Sequence, residues 1–429
     1  MVSPVILSAD WVLRVSGPPI RDGAVVIEDG RIAAVGSSAD LGTGTRYEDA
    51  AIVPGFVNAH SHLEYAVYAG FGDGLPFGDW IGLHVERKAR IALEDMEDIA
   101  RLGAFECLRS GITAVGDCSF SGAAATACAD LGLRATIYLE VFGEGTGVVA
   151  ERFEPMRERV AGALSERVRL GISPHAPYTC SLELYGACNE LRLPVATHLA
   201  ESKDENEFLR TGGGAWEAFA DMLVRPLGTT GIRALAGAGL LGRHVLAAHC
   251  VMADEEEIAL LAEHDVAVAH CPRSNALLGL GIAPVADLLA AGIRVGIGTD
   301  SPASTPSFDM FEELRTAIAM ARLRNRGSSP MTAQHVLELA TLGSASVLGL
   351  DDELGSLEPG KQADLAVVDL QGSPYVPWED PAAAVVMGGS ASRVLLTLVG
   401  GEVRYDRATF PWHELRQKGI EARAKLLGR

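Results

Sequence analysis

Two hydrophobic rhythms run along the chain. Toward both ends, apolar and polar residues alternate with a period of two, the mark of half-buried strands. In AVVIEDGRIAAVG the alternation turns back at Asp29-Gly30, and in RVLLTLVGGEVRYD at Gly400-Gly401. Both dipeptides suit a two-residue hairpin turn, which needs positive φ. Residues 1–51 and 355–405 are therefore expected to form one small β-sandwich domain built from both termini. Between them, residues 52–350 carry solid apolar runs: AIVPGFVNAH, TAVGDC, RATIYLEVF, VRLGISPH, PVATHLA, HVLAAHC, DVAVAHC and RVGIGTD. Unbroken apolar strands are those buried on both faces of a parallel sheet. Helical stretches such as SLELYGACNELR and DEEEIALLAEH separate them. Eight such strands with helical crossovers predict an α/β fold, a (β/α)8 TIM barrel. TAQHVLELATLGSASVLG reads as a further helix, and residues 406–429 as a C-terminal basic amphipathic helix packed on the surface.

Charge and cysteine usage narrow the partners. The 429 residues carry a formal charge of −20, which argues against nucleic acid and anionic membrane surfaces, where Lys and Arg are needed. No apolar run reaches the roughly 18 residues of a spanning helix. The opening MVSPVILSAD lacks the basic start, apolar stretch and cleavage site of a secretion signal. Seven cysteines, an odd number with no CxxC pair, point to a reduced, cytoplasmic protein. Lysine is scarce: Lys88, Lys203, Lys361, Lys418 and Lys425 are all there are.

Chemistry concentrates where the strands end. His60 and His62 close the first run, Asp117 and Cys118 the second, and Glu140 lies in the third. His175, His198, His249, His270 and Asp300 close the rest. In a (β/α)8 barrel these ends meet at one mouth, where active sites lie. Period-two spacing points His60 and His62 the same way. With His198 and Asp300 they offer three imidazoles and one carboxylate, a set that suits one divalent ion. Zn(II) is the first choice, and Fe(II) and Mn(II) are also compatible. Glu201, three residues past His198, is placed to carry a proton between water and substrate. His249 could orient the water or stabilise developing charge.

PGFVNAHSH, THLAES, AAHC, HCPRSN and GIGTDS, in this order at these strand ends, resemble the amidohydrolase superfamily, in its aminohydrolase branch. The resemblance implies a metal on His60, His62, His198 and Asp300, catalytic roles for Glu201, His249 and Asp300, and a homodimer. Another branch bridges two metals with a lysine from the fourth strand. Here that strand ends in His175, and Lys88 is the one lysine between His62 and His198, so one metal is expected. The implied reaction is hydrolytic deamination of an amidine-like ring, with release of ammonia.

HSHLEY, GDWI, LEVFG, ESKDENEFLRTGGGAWEAF and HCPRSNALLG resemble, more narrowly, the aminodeoxyfutalosine deaminases of menaquinone biosynthesis. That implies conversion of 6-amino-6-deoxyfutalosine to futalosine. GTDSPAS departs from that group's pattern. The alternatives are deamination of S-adenosylhomocysteine, methylthioadenosine or adenosine, and then of guanine, cytosine or triazine rings. A non-catalytic barrel scaffold would have no reason to keep the whole polar set. Substrate contacts are expected from Glu86 (ribose, unless it only pairs with Arg90 at i+4), Trp80 (ring stacking), His175, Glu140, and Arg273 (a substrate carboxylate, unless it is structural). Cys118, Cys250 and Cys271 read as small buried residues.

Overall fold

Two sheets organise the computed structural model, which describes residues 4–326, 331–373, 379–410 and 412–428. The expected terminal and helical segments also include residues 1–3, 374–378, 411 and 429, which lie outside the described residues. The N-terminal strands are β1 (Val5–Val12), β2 (Ile20–Glu28), β3 (Arg31–Ser37) and β4 (Thr45–Pro54). The barrel strands are β5 (Phe56–Ser61), β6 (Ile112–Ser119), β7 (Arg134–Val141), β8 (Val168–Pro174), β9 (Val195–Leu199), β10 (Val245–His249), β11 (Ala267–His270) and β12 (Val295–Ile297). The C-terminal strands are β13 (Leu365–Asp369), β14 (Val394–Val399) and β15 (Glu402–Asp406).

Strands from both termini form one sheet in the order β15-β14-β13-β4-β1-β2-β3, with hydrogen bonding continuous through all seven. Its pairs are antiparallel except β1 with β4. The hairpins turn where the alternation reversed: Asp29 and Gly30 hold φ of 47° and 78°, Gly400 and Gly401 of 58° and 75°. One face gathers Leu7, Val25, Ile27, Ile52, Leu365, Val367 and Leu398 into a core of its own. The other face of β4 and β13, through Ala51, Val53, Ala366 and Val368, joins the core of the barrel. Both faces of these two strands are buried, which is why their sequences read as unbroken apolar runs.

The eight barrel strands are parallel and follow chain order from β5 to β12. The run AIVPGFVNAH, expected as one strand, is two. β4 ends at Pro54 and β5 starts at Phe56. Gly55 is the corner, because a Cβ there would lie 2.2 Å from Thr113 Oγ1. The Pro-Gly pair marked this break.

The seam between β12 and β5 sets the site. Ser61 bridges to Asp300, and the Asp300 N–H donates to His60 O at 3.0 Å. Asn58 locks the same seam, its amide donating to Thr299 Oγ1 (2.7 Å) and accepting from the Thr299 N–H (3.0 Å). The first and last strand ends are thus held side by side. A Cβ on Gly298 would fall 2.9 Å from both Cβ and O of His60. Gly298→Ala should therefore displace His60 and cost about 1–3 kcal/mol of stability by overpacking, which thermal melts check.

The C-terminal helix covers Trp412–Leu426, starting after β15 ends at Asp406, and lies on the surface. Lys418 and Lys425 pair with Asp98 and Asp95 of the helix Leu93–Arg109, and Ala422 and Leu426 are buried. Among the described residues no helix is long and apolar enough to cross a membrane.

Candidate active site

His60 and His62 stand edge to face at the end of β5, with ring centroids 4.9 Å apart. His62 Nδ1 pairs with Cys118 O (2.9 Å), and His198 Nδ1 with His175 O (2.8 Å). A carbonyl only accepts, so each Nδ1 carries the proton and each Nε2 a lone pair. Those two Nε2 atoms face each other at 3.3 Å. His60 Nε2 is buried with no hydrogen-bond partner. Asp300 Oδ1 lies 3.5 Å from His62 Nε2 and 3.8 Å from His60 Nε2. Converging lone pairs repel unless a cation sits among them. The arrangement can hold a divalent ion, and the ring nitrogens of His60, His62 and His198 all lie within 4.8 Å of one another.

Burial keeps these imidazoles neutral, as ligands must be. It drives His60 well below its ordinary range, helped by the neighbouring His62 and His198. His62 is pushed down to about 4 by burial, with Asp300 pulling the other way. Burial, then His62 and His249, push His198 down to about 3. Protons therefore compete for these nitrogens only near pH 4. Retention of an added divalent ion by the folded protein, followed by equilibrium dialysis, should stay flat from pH 7.5 to roughly 5 and drop as pH falls through about 4. Loss already near pH 6.5 would contradict this geometry.

Asp300 is held below the usual carboxylate range. Burial works upward, but His249, His62 and two hydroxyls outweigh it, Ser274 and Ser304 each donating to Oδ2 at 2.6 Å. His249 Nδ1 pairs with Asn275 Oδ1 (3.0 Å), leaving Nε2 directed at Glu201 Oε1, 3.6 Å away. His249 and Asp300 hold φ of 71° and 55°. Such backbone costs about 1–3 kcal/mol in a residue with a Cβ and is typical of functional sites.

Glu201 is only 5% exposed. Burial, then the Asp300 charge, raise its carboxyl well above the usual range. Glu205 fixes the loop around it, accepting from the backbone N–H of Ala200 (3.0 Å) and Glu201 (2.7 Å). Ser202 and Glu205 together cap the helix Lys203–Thr211. The S-x-x-E spacing at 202–205 is the signal that could have revealed Glu205. Ser274, Asn275 and Ser304 lie inside HCPRSN and GTDSPAS, motifs already singled out, but only the fold shows whom they serve.

A cavity of about 320 Å³ opens above these groups. Its outer wall is apolar, with Phe77, Trp80, Ile81, Trp216, Phe219 and Leu278. Of the expected substrate contacts, Trp80, Glu140 and His175 line it, while Glu86 and Arg273 do not. Glu86 is exposed on the helix Phe77–Lys88 and pairs with Arg90. Lys88 reaches in from the same helix, donating to Tyr65 OH at 2.6 Å and lying 3.7 Å over the Phe120 ring. Arg273 is buried and neutralised by Glu312 (3.2 Å) and Glu313 (3.3 Å), so it joins two helices and is not free for a substrate carboxylate. Asp117 accepts from Ser61 Oγ (2.9 Å) and the Leu63 N–H (2.8 Å); it braces the turn after β5 away from the cavity. His270, pushed down to about 3 by burial, is likewise outside the cavity lining. Cys118, Cys250 and Cys271 are buried free thiols, matching their sequence reading. A second cavity of about 650 Å³ shares a wall of Lys88, Glu140 and Phe142 and adds Arg152 and Arg159.

The eight-stranded barrel, with imidazoles, a carboxylate and a buried acid at its mouth, defines the class of barrel hydrolases that work with a metal. The chain belongs to the amidohydrolase family, whose model matches residues 51–404. It is 35% identical to a 5-methylthioadenosine/S-adenosylhomocysteine deaminase of Moorella thermoacetica, over 93% of each chain. It is 33% identical to a 5′-deoxyadenosine deaminase of Methanothermobacter thermautotrophicus, over 93% of this chain and 92% of that one. The crystal structure of an adenosine deaminase from Xanthomonas campestris with bound zinc superposes with a TM-score of 0.88, at 27% identity over 99% of both chains. The protein is accordingly a hydrolase that acts on C–N bonds.

Proposed function

We propose that the protein is a zinc-dependent deaminase of adenine nucleosides, chiefly those modified at the 5′ position. The observation that carries this is the buried Glu201 facing His249 beside the unpartnered nitrogen of His60, at the inner end of an apolar cavity sized for a flat ring. His60, His62, His198 and Asp300 would hold the ion. When bound, it lowers the pKa of water from 15.7 toward about 7. Asp300 and His249 orient the attacking water and take up its proton. Glu201 delivers its own proton to the ring nitrogen beside the amino-bearing carbon. The proton taken up by Asp300 and His249 then passes to the amino group, ammonia leaves, and the hydroxyl proton returns to Glu201 as the carbonyl forms.

The relatives described above are named for 5-methylthioadenosine, S-adenosylhomocysteine and 5′-deoxyadenosine. They favour these substrates over 6-amino-6-deoxyfutalosine, the first expectation from the sequence. The second cavity supports keeping that substrate as a second reading. Lys88, Arg152 and Arg159 would suit a 5′ arm that ends in a carboxylate, a feature S-adenosylhomocysteine shares.

Ammonia release from a panel of amines tests the proposal. The adenine nucleosides should exceed guanine, cytosine and triazines in kcat/KM by at least about a hundredfold. No turnover of any adenine nucleoside would overturn the reading. A clear preference for 6-amino-6-deoxyfutalosine would install the second.

A further inference from the structure

We propose that the helix Phe77–Lys88 and residues 212–223 are the two halves of a lid, parting to admit the substrate and closing over it. Only the ligand used in the test below rests on the reading of the site as a nucleoside deaminase.

The reacting groups lie deep, with His60, Glu201, His249 and Asp300 all buried. Over them stand Phe77, Trp80, Ile81, His84 and Lys88 from the helix, faced by Trp216 and Phe219 from the other segment. The five helix positions recur at i, i+3, i+4, i+7 and i+11, so they form one stripe. In a surface helix such a stripe normally covers the core; this one faces the cavity. Within the helix only Phe77 and His84 are buried, and within Glu217–Met222 nothing is. Among the described residues neither segment packs broadly on another helix or strand. Elements held by so few buried contacts open locally at small cost.

Both halves hang on glycines. Gly70, Gly72 and Gly74 lead into the helix with φ of 80°, 76° and 78°, and Gly212 and Gly214 open the other segment at 74° and 85°. A Cβ on Gly70 or Gly74 would meet nothing within 4 Å, so the backbone conformation, not crowding, calls for glycine there. The second segment is fixed at its far end, where the Val224 N–H donates to Tyr178 O (3.0 Å) and the Leu227 N–H to Leu209 O (2.8 Å).

The halves meet at a third kind of glycine. A Cβ on Gly78 would fall 2.9 Å from Phe219 Cε2 and 3.2 Å from Trp216 Nε1, so the seam is this tight only while residue 78 has no side chain. The closed seating also leaves polar atoms unmet. Trp216 Nε1 at the seam, His84 Nε2 and Arg87 Nε on the helix, and Tyr68 Oη beside His84 are buried without a hydrogen-bond partner. Buried polar groups are normally paired. Opening returns these atoms to water, which offsets the loss of the apolar seam and brings the two positions close in energy. A flat ring against the helix stripe adds apolar contact in the closed position alone, so binding shifts the balance toward closure. Closure then keeps bulk water from Glu201 and His249 while protons move.

Amide hydrogen exchange on the metal-loaded enzyme tests the lid, with and without saturating purine riboside, which is adenosine lacking its amino group. In the free enzyme, residues 81–88 and 217–223 should exchange at least about tenfold faster than the helix Leu93–Arg109, and the ligand should slow both by a similar factor. Gly78→Ala, which wedges the seam, should speed exchange of residues 217–223 as well as its own helix. It should also raise KM for adenosine by about tenfold, with metal content and the exchange of Leu93–Arg109 unchanged. Three results would overturn the lid: free-enzyme protection of both segments equal to that of Leu93–Arg109, ligand binding that leaves their exchange unchanged, or a Gly78→Ala effect confined to its own helix. If no adenine nucleoside binds or turns over, the functional reading falls, and the free-enzyme exchange with the Gly78→Ala response still decides the lid.

Discussion

Glu201→Gln is expected to keep its zinc and lose about 10²- to 10⁴-fold in kcat, the usual contribution of a positioned acid/base. The substitution preserves shape and leaves the brace from Glu205 intact, because that brace holds the backbone N–H of residue 201 and not its side chain. What disappears is an exchangeable carboxyl proton. Burial and the Asp300 charge make Glu201 hold that proton more tightly than an exposed glutamate would. In the proposed reaction the water would be activated on one side of the ring carbon and the nitrogen protonated beside it, so without Glu201 the ring nitrogen must draw its proton from solvent. Substrate binding should change little, and the loss should fall on kcat. Steady-state rates with zinc analysis of the same preparation decide the matter. If Glu201→Gln came out zinc-free, Glu201 would be a ligand and the role assigned to it would be wrong.

The barrel and its inner site were legible because both follow from backbone periodicity. Parallel strands buried on two faces must be apolar throughout, so a polar residue at the end of such a run stands out, as His198, His249 and Asp300 do. Gly55 shows where this reading fails. An apolar run buried in the terminal sheet and one buried in the barrel look alike, and one glycine separates them. Helix faces were harder. Glu86 and Lys88 lie about 200° apart around their helix at roughly 100° per residue, so only one of them can face the cavity. Nothing local says which, and Lys88 does. Arg273 failed for another reason. The carboxylates that neutralise it, Glu312 and Glu313, come forty residues later on a different helix. Long-range pairing of this kind leaves no trace in spacing.

Asp300→Asn should be the most damaging single change at the site, because one carboxylate meets three demands. It would contribute the only charged ligand atom of the proposed set, 3.5 Å from His62 Nε2 and 3.8 Å from His60 Nε2. It lies beside His249, which lowers its pKa and, in the proposed reaction, would share with it the handling of the water proton. It also accepts from Ser274, in the helix Pro272–Leu277 after β11, and from Ser304, in the loop after β12. Asparagine keeps the size and removes the charge, and its amide nitrogen cannot accept from those hydroxyls. Zinc affinity should therefore fall, and a rate deficit of about 10² to 10⁴ should persist at saturating zinc, since proton transfer is lost as well. The acid limb of stability should change too. A carboxylate with a depressed folded pKa stabilises the protein above its unfolded value, about 3.9, and loses that contribution as pH falls through the folded one. Asp300→Asn should remove that dependence, flattening the metal-free unfolding curve below pH 4 relative to wild type. Full recovery of the rate by added zinc would show that Asp300 serves as a ligand alone and takes no part in moving the proton.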